Sequence, residues 1–215
     1  MNLELKKELP IIGIVLAPFV YLAKIWNSLP ERVPIHWNYR GEIDKWGSKF
    51  TLIIILFMLP VLVYTLMLTA LKFDPKKRLS LMGGKFYQLK FILVLFVSLL
   101  ALFIIYISKN QSLTSPSLLH VGIGVLLMVL GNYFKVIQPN YFIGIRTPWT
   151  LENNEVWKAT HSFAGKLWFF WGLLLMIGGL VFQDAFFSKA FLAVVLVLAV
   201  VPIVYSYFKF KSLQE

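Results

Sequence analysis

Residues 50–71 contain no charged side chain. About twenty apolar residues match the roughly 30 Å hydrocarbon core of a bilayer. Lipid offers no partner to a backbone N–H or C=O, so such a stretch must bond internally and is read as a helix. Apolar runs of similar length cover residues 10–27, 87–107, 117–134, 162–182 and 188–207. The sequence therefore predicts an all-α integral membrane protein with six transmembrane helices. Pro18 and Pro60 fall inside the first two spans, where neighbouring groups must answer the missing N–H. The fourth span holds Gly122, Gly124 and Gly131. Small residues let helices approach closely, so this span is expected inside the bundle. Lys90 is expected to snorkel to the interface. The first run is long, lacks a small-x-small cleavage site, and reads as an uncleaved span.

Charge sets the orientation. Only 14% of residues are charged, against roughly 25% in a soluble domain, and the net charge is +11. In a soluble chain that excess would suggest nucleic acid. Here it fits cytoplasmic loops, which collect Lys and Arg, and no direct nucleic-acid partner is expected. With the N-terminus inside, inner segments carry 14 of the 21 basic residues and outer segments 7. Both termini are thus expected in the cytoplasm. Loop 28–49 then faces outward and the stretch 131–165 inward. The expected organisation is residues 1–71, two helices with the extracellular loop, followed by residues 72–215, four helices with the inner loop, as one compact membrane unit. The basic connector around Lys72, Lys76, Lys77 and Arg78 is expected to meet anionic membrane lipid, at about 1 kcal/mol per cation. There is no Cys, so no disulfide or thiolate chemistry arises.

Two polar stretches carry the residue types that recognise things. In the outer loop, Pro30 and Pro34 stiffen the start and residues 33–37 can run extended. Asn38 to Gly41 reads as a turn. Pro34, His36, Trp37, Asn38, Gly41 and Trp46 are its candidate binding residues. One His among the scattered acids Glu31, Glu42 and Asp44 is a poor zinc set, since three or four convergent ligands are needed. No metal site and no cofactor are expected.

The inner stretch is the longest polar interruption of the chain. Its Asn132, Pro139, Asn140, Gly144, Arg146, Thr147, Pro148, Trp149, Thr150, Trp157 and His161 are placed too particularly for a solvated tether. Pro139-Asn140 should turn the chain, and Gly144 should allow a bend before Arg146. The guanidinium must find a carboxylate, carbonyls or phosphate, with Glu152 and Glu155 the nearest acids. A helix should start near Asn153 or Asn154, both plausible caps. Trp157, His161, Ala164, Trp168, Trp171 and Leu175 then share one face, a packing stripe. Asn132 is expected to hydrogen-bond into that face. His120 reads as interfacial. No span has an acidic residue at its centre, and no hydrolase or metalloprotease motif occurs.

Together these stretches resemble the SdpI family of bacterial membrane immunity proteins. The outer loop, with Pro30, Pro34, His36-Trp37-Asn38, Gly41 and Trp46-Gly47, is similar to an N-terminal domain of unknown function found in that family. Gly131-Asn132, Pro139-Asn140, the run from Gly144 through Arg146, Thr147, Pro148, Trp149 and Thr150 to Leu151, then Val156-Trp157 and Thr160-His161, resemble its signature. Ser162 stands where the family often has a basic residue. The resemblance implies a protein of the bacterial cell membrane, without catalysis, that gives resistance to a secreted membrane-active killing peptide. In the best-known branch of the family it also implies a receptor role, holding a cytoplasmic repressor at the membrane when toxin is present. Outer-loop residues would meet the peptide, and the inner loop would hold the active shape. The rival reading is an envelope enzyme or lipid-modifying protein using Arg146 and His161. A peptide exporter is a third reading, weakened by the missing intramembrane acid and nucleotide motif.

Overall fold

The computed structural model describes residues 5–38, 42–75, 77–111, 117–182 and 185–214. Helices Lys6–Ser28, Thr51–Phe73, Gly84–Asn110, Asn154–Val181 and Phe186–Lys211 are long and apolar enough to cross a membrane. A further apolar helix, Ser117–Tyr133, has 17 residues, about 25 Å at the usual rise. The expected fifth span at 162–182 is the inner part of a longer helix whose first two turns belong to the polar stretch.

The chain is not all-α. Residues Arg32–Trp37 (β1) and Ile43–Ser48 (β2) pair as an antiparallel hairpin, with Val33 opposite Gly47 and Pro34 opposite Trp46. The extended character of residues 33–37 is borne out. What spacing could not give is the partner strand, because Ile43, Lys45 and Trp46 do not alternate with polar residues in a strand pattern. The turn expected at Asn38–Gly41 lies partly outside the described residues, as do Gly41 itself and Lys76.

The chain divides into two compact units, residues 1–69 with 87–114, and residues 70–86 with 115–215. The first holds α1 (Leu5–Ile25), the hairpin, α2 (Thr51–Leu56), most of α3 (Leu62–Phe73) and most of α5 (Gly84–Asn110). The short helix α4 (Arg78–Leu81) belongs to the second. Pro60 has no N–H for the helical ladder, and the chain widens there into a π turn, Phe57–Val61. Val33 of β1 is fully buried with Leu22, Ile25, Leu29, Leu52, Leu56, Ala101 and Ile105, so an apolar plug seats the hairpin on the helix ends. Lys49 adds an ion pair to Glu31 at 2.8 Å and lies 5.1 Å from the centre of the Trp26 ring.

At the far end of α1, Glu8 is buried. Lys90 of α5 donates to one of its oxygens and Tyr64 of α3 to the other, the latter at 3.0 Å. Lys90 is 2% exposed and does not snorkel. An acid 82 positions away satisfies it, a pairing that local spacing cannot announce. Burying a charge costs several kcal/mol unless it is paired, so the contact ties three helices at one point.

The second unit is built on α6 (Ser117–Tyr133), α8 (Asn154–Val181) and α9 (Ala185–Lys211), with the short α7 (Pro148–Glu152) at its polar end. Helices α6 and α8 meet backbone to backbone. A Cβ on Gly131 would sit 2.7 Å from Gly165 O, and one on Gly172 2.7 Å from Gly124 O. Gly124 and Gly131 are seven residues apart, as are Gly165, Gly172 and Gly179. Sevenfold spacing keeps one seam facing its partner over several turns. The close approach expected of the fourth span is found against α8. On α8 the buried line runs through Trp157, His161, Ala164, Gly165, Gly172, Leu175 and Gly179. Trp171 lies off it, 37% exposed, because a true 3.6-residue period carries position 172 to the seam instead. His120, in the first turn of α6, is buried, its ring 4.6 Å from that of Phe191.

Between α8 and α9 the join is a proline and a tryptophan. Pro202 cannot donate to the Leu198 carbonyl four residues earlier. Trp168 Nε1–H donates to that carbonyl at 2.9 Å. In lipid an unanswered carbonyl would cost several kcal/mol.

The glycine seam makes a clear prediction. Gly131→Ala should lower the stability of the protein by at least about 2 kcal/mol through backbone overpacking. Gly13→Ala, where a Cβ meets nothing within 4 Å, should be neutral or stabilising by about 0.5–1 kcal/mol. Thermal unfolding in detergent of both variants tests this; equal midpoints would refute the seam.

Candidate functional site

The polar stretch is folded against the overhanging start of α8. Asn153 caps that helix, its Oδ1 accepting from Glu155 N at 2.8 Å and Val156 N at 3.2 Å. The expected cap is therefore found, and it fixes where Trp157, Thr160 and His161 face.

Trp157 and His161 are each 1% exposed and stack with ring centres 4.0 Å apart. Trp157 Nε1–H donates to Ile137 O at 2.9 Å, pinning the start of the loop. His161 Nε2 accepts from Ile145 N–H at 3.0 Å, and Nδ1 lies 2.8 Å from Trp157 O. A nitrogen that accepts from an amide carries no proton, so the proton sits on Nδ1 and the ring is neutral. Gly144 lies against the Nε2 edge of this ring, with φ +109°. A Cβ there would be 2.5 Å from His161 Nε2. Glycine is needed twice over, for the backbone angle and for the close approach.

Asn140 is 1% exposed and holds the first bend. Its amide donates to Gln138 O and Ile143 O at 2.8 and 3.0 Å, and its oxygen accepts from Phe142 N and Ile143 N at 2.8 and 2.7 Å. All four of its hydrogen-bonding positions are engaged. Thr147 and Thr150 form the second bend, a reciprocal cap of α7 in which each hydroxyl takes the other's backbone N–H, with Pro148 at the first helical position. Trp149 Nε1–H donates to Ser206 Oγ of α9 at 2.7 Å. Its ring packs on Tyr207 and Phe210. Glu155 pairs with Lys209 of α9 at 3.2 Å.

Two expectations are corrected. Asn132 is exposed and does not bond into the α8 face. Its place at the end of α6 turns it outward, while Gly131 takes the seam. Arg146 does not pair with Glu152 or Glu155. It is exposed and donates to the Tyr141 carbonyl within its own loop, while α9 supplies the cation that Glu155 takes. A latch escaped the sequence reading altogether. Arg78, at the start of α4, donates to Pro139 O at 3.1 Å, so the basic connector grips the loop.

In the hairpin, His36 Nδ1 is 2.5 Å from Asp44 Oδ1, and Asn38 and Glu42 bond across the turn. Trp46 is 41% exposed and Ile35 39%. Trp37 is half-buried and its enclosed Nε1 has no hydrogen-bond partner among the described residues. Pro34 is buried in the strand. Among the described residues no group of three or more His, Asp or Glu side chains is placed to hold a metal.

The loop's hydrogen bonds predict a specific loss. Trp157→Phe keeps the ring but leaves Ile137 O unpaired in a buried place, costing about 1–3 kcal/mol. Protease cleavage within residues 134–147 should quicken before the helices unfold. Unchanged cleavage would show that the bond does not hold the loop.

Residues 135–206 match the SdpI/YfhL protein family, and residues 13–63 match a domain of unknown function (DUF1648). The chain is 26% identical over 210 residues to the immunity protein SdpI of Bacillus subtilis (strain 168), covering 98% of this chain and 99% of that protein. No solved structure matches the chain. Its apolar helices and this end-to-end likeness make it a multi-pass protein of the cell membrane. The hairpin falls inside one matched region, and α7, α8 and most of α9 inside the other, so the chain is similar to the SdpI/YfhL protein family over residues 135–206 and to the immunity protein from end to end.

Proposed function

We propose that this chain is a membrane immunity protein of the binding class, giving resistance to a secreted membrane-active killing peptide. The end-to-end likeness to an immunity protein carries the reading. The site geometry supports it over the enzyme reading. Both ring nitrogens of His161 are committed to backbone groups, and the ring is 1% exposed. A general acid or base needs a free nitrogen within reach of substrate.

The exposed hairpin residues Trp46, Ile35 and His36 meet the peptide at the bilayer surface, where aromatic side chains serve as contact anchors. The inner loop holds the active shape and offers Arg146, Tyr141 and Phe142 to a cytoplasmic repressor. Expressed in a sensitive Gram-positive host, the chain should protect cells against one member of a panel of such peptides. Trp46→Ala at equal abundance should cut that protection about tenfold or more. Full protection by the variant would move the peptide contact elsewhere, and no protection by the native chain would end the immunity reading.

The matching topology has six spans, α6 being the short one, with both termini cytoplasmic. The excess of basic residues on the inner segments supports it. The chain has no Cys, so single cysteines report without a background. Ser48→Cys should react with a membrane-impermeant maleimide on intact cells, and Ser212→Cys only after lysis. The reverse pattern would invert the orientation.

A further inference from the structure

Where α6 ends, its seam with α8 opens into a cleft of about 200 Å³ lined by Gly131, Asn132, Lys135, Gly165, Lys166 and Phe169. The floor is backbone. Gly131 and Gly165 lie so close that a Cβ on either would be 2.6–2.7 Å from the other's carbonyl oxygen. The rim is cationic. Lys135, Lys166 and Asn132 are exposed, and none bonds to another described residue. One wall is apolar, since Phe169 is 45% exposed and Phe170 beside it 58%.

Depth decides what such a cleft would meet. From Lys166 to the end of α8 at Val181 is about 23 Å of helix, most of the thickness of a hydrocarbon core. Lys135 stands two residues past the end of α6. Both ammonium groups therefore lie at headgroup level, with Phe169 a turn deeper among acyl chains. This is the reverse of a solvated charged face, where lysines are interspersed with acids.

We propose that this cleft binds the phosphate of an anionic phospholipid. The two ammonium groups and the Asn132 amide donate to the phosphate oxygens, and an acyl chain lies on Phe169. The close approach of Gly131 and Gly165 leaves the floor to backbone and the rim to the two lysines and Asn132. A phosphodiester without a compensating ammonium suits two cations, and the apolar wall favours a phosphate that arrives with a lipid tail.

The test is lipid titration of the purified full-length protein by native mass spectrometry. Phosphatidylglycerol should bind in preference to phosphatidylcholine. Lys135→Gln with Lys166→Gln should weaken that binding about 30-fold, from about a fivefold effect per cation near a membrane surface. All four lysines used are exposed, and circular dichroism confirms that the variants keep their helices. The charge-matched pair Lys109→Gln with Lys211→Gln should bind as the native chain does. Equal weakening in that pair would overturn the site in favour of diffuse attraction. Displacement by millimolar glycerol 3-phosphate would make it a soluble-anion site. No preference between the two lipids would leave no site at all.

Discussion

The approach of α6 to α8 is the constraint on which the second unit rests. In lipid, apolar side chains gain nothing by meeting each other, so helices associate through close packing and polar contacts. The glycines at 124, 131, 165 and 172 supply the first by removing side chains from the seam. The seam also fixes how the helices end. Helix α8 has 28 residues and α6 has 17, so α8 is longer by about 16 Å. The surplus carries Trp157, Thr160 and His161, and the loop folds on it. The polar stretch, whose two ends Gly131 and Gly165 meet in the seam, thus owes its shape to it.

Polar groups do the complementary work of joining what the seam leaves apart. Pro202 frees a carbonyl on α9, and Trp168 of α8 takes it. Ser206, one turn later, bonds its own helix at Ile203 O and accepts from Trp149 of the loop. Lys209 reaches Glu155. One face of α9 thereby collects a loop residue, the first turn of α8 and its middle. Tryptophan suits this role because its large apolar ring packs while its single N–H finds a carbonyl or hydroxyl. In the first unit the same task falls to Glu8, held by Lys90 and Tyr64.

What the sequence showed, and what it hid, follows from the range of the interactions. The apolar spans, the Asn153 cap and the extended run at 33–37 depend on neighbours a few residues away, and all were legible. The buried Lys90 was not, since its acid lies across 82 positions. Nor was the strand partner of residues 33–37. Arg146 was assigned to the nearest acids, but nearness in sequence gave way to α9, which brings Lys209 to Glu155. The glycine seam is a different case. The glycines of α6 pointed inward on composition, while the sevenfold spacing of Gly165, Gly172 and Gly179 stood in plain view and names the partner helix.

Within the loop, burial separates two kinds of residue that a sequence motif lists together. Asn140, Thr147, Thr150, Trp157 and His161 are each 8% exposed or less. Their polar atoms bond chiefly to the backbone around them, as the Asn140, Trp157 and His161 contacts do. Such residues make a frame. They cannot reach a ligand without giving up bonds worth about 1 kcal/mol each or more. Arg146, Pro148, Tyr141 and Phe142 are turned outward and form the surface the frame presents. A frame this fully bonded suits recognition, where a partner must find one shape already made and the ordering entropy is met in folding rather than in binding. It does not suit acid–base chemistry, which needs a side chain held near its substrate with a lone pair or proton to spare. The density of polar and aromatic residues in the stretch is therefore mostly the cost of holding a loop still at a membrane surface, and the part left for a partner is small.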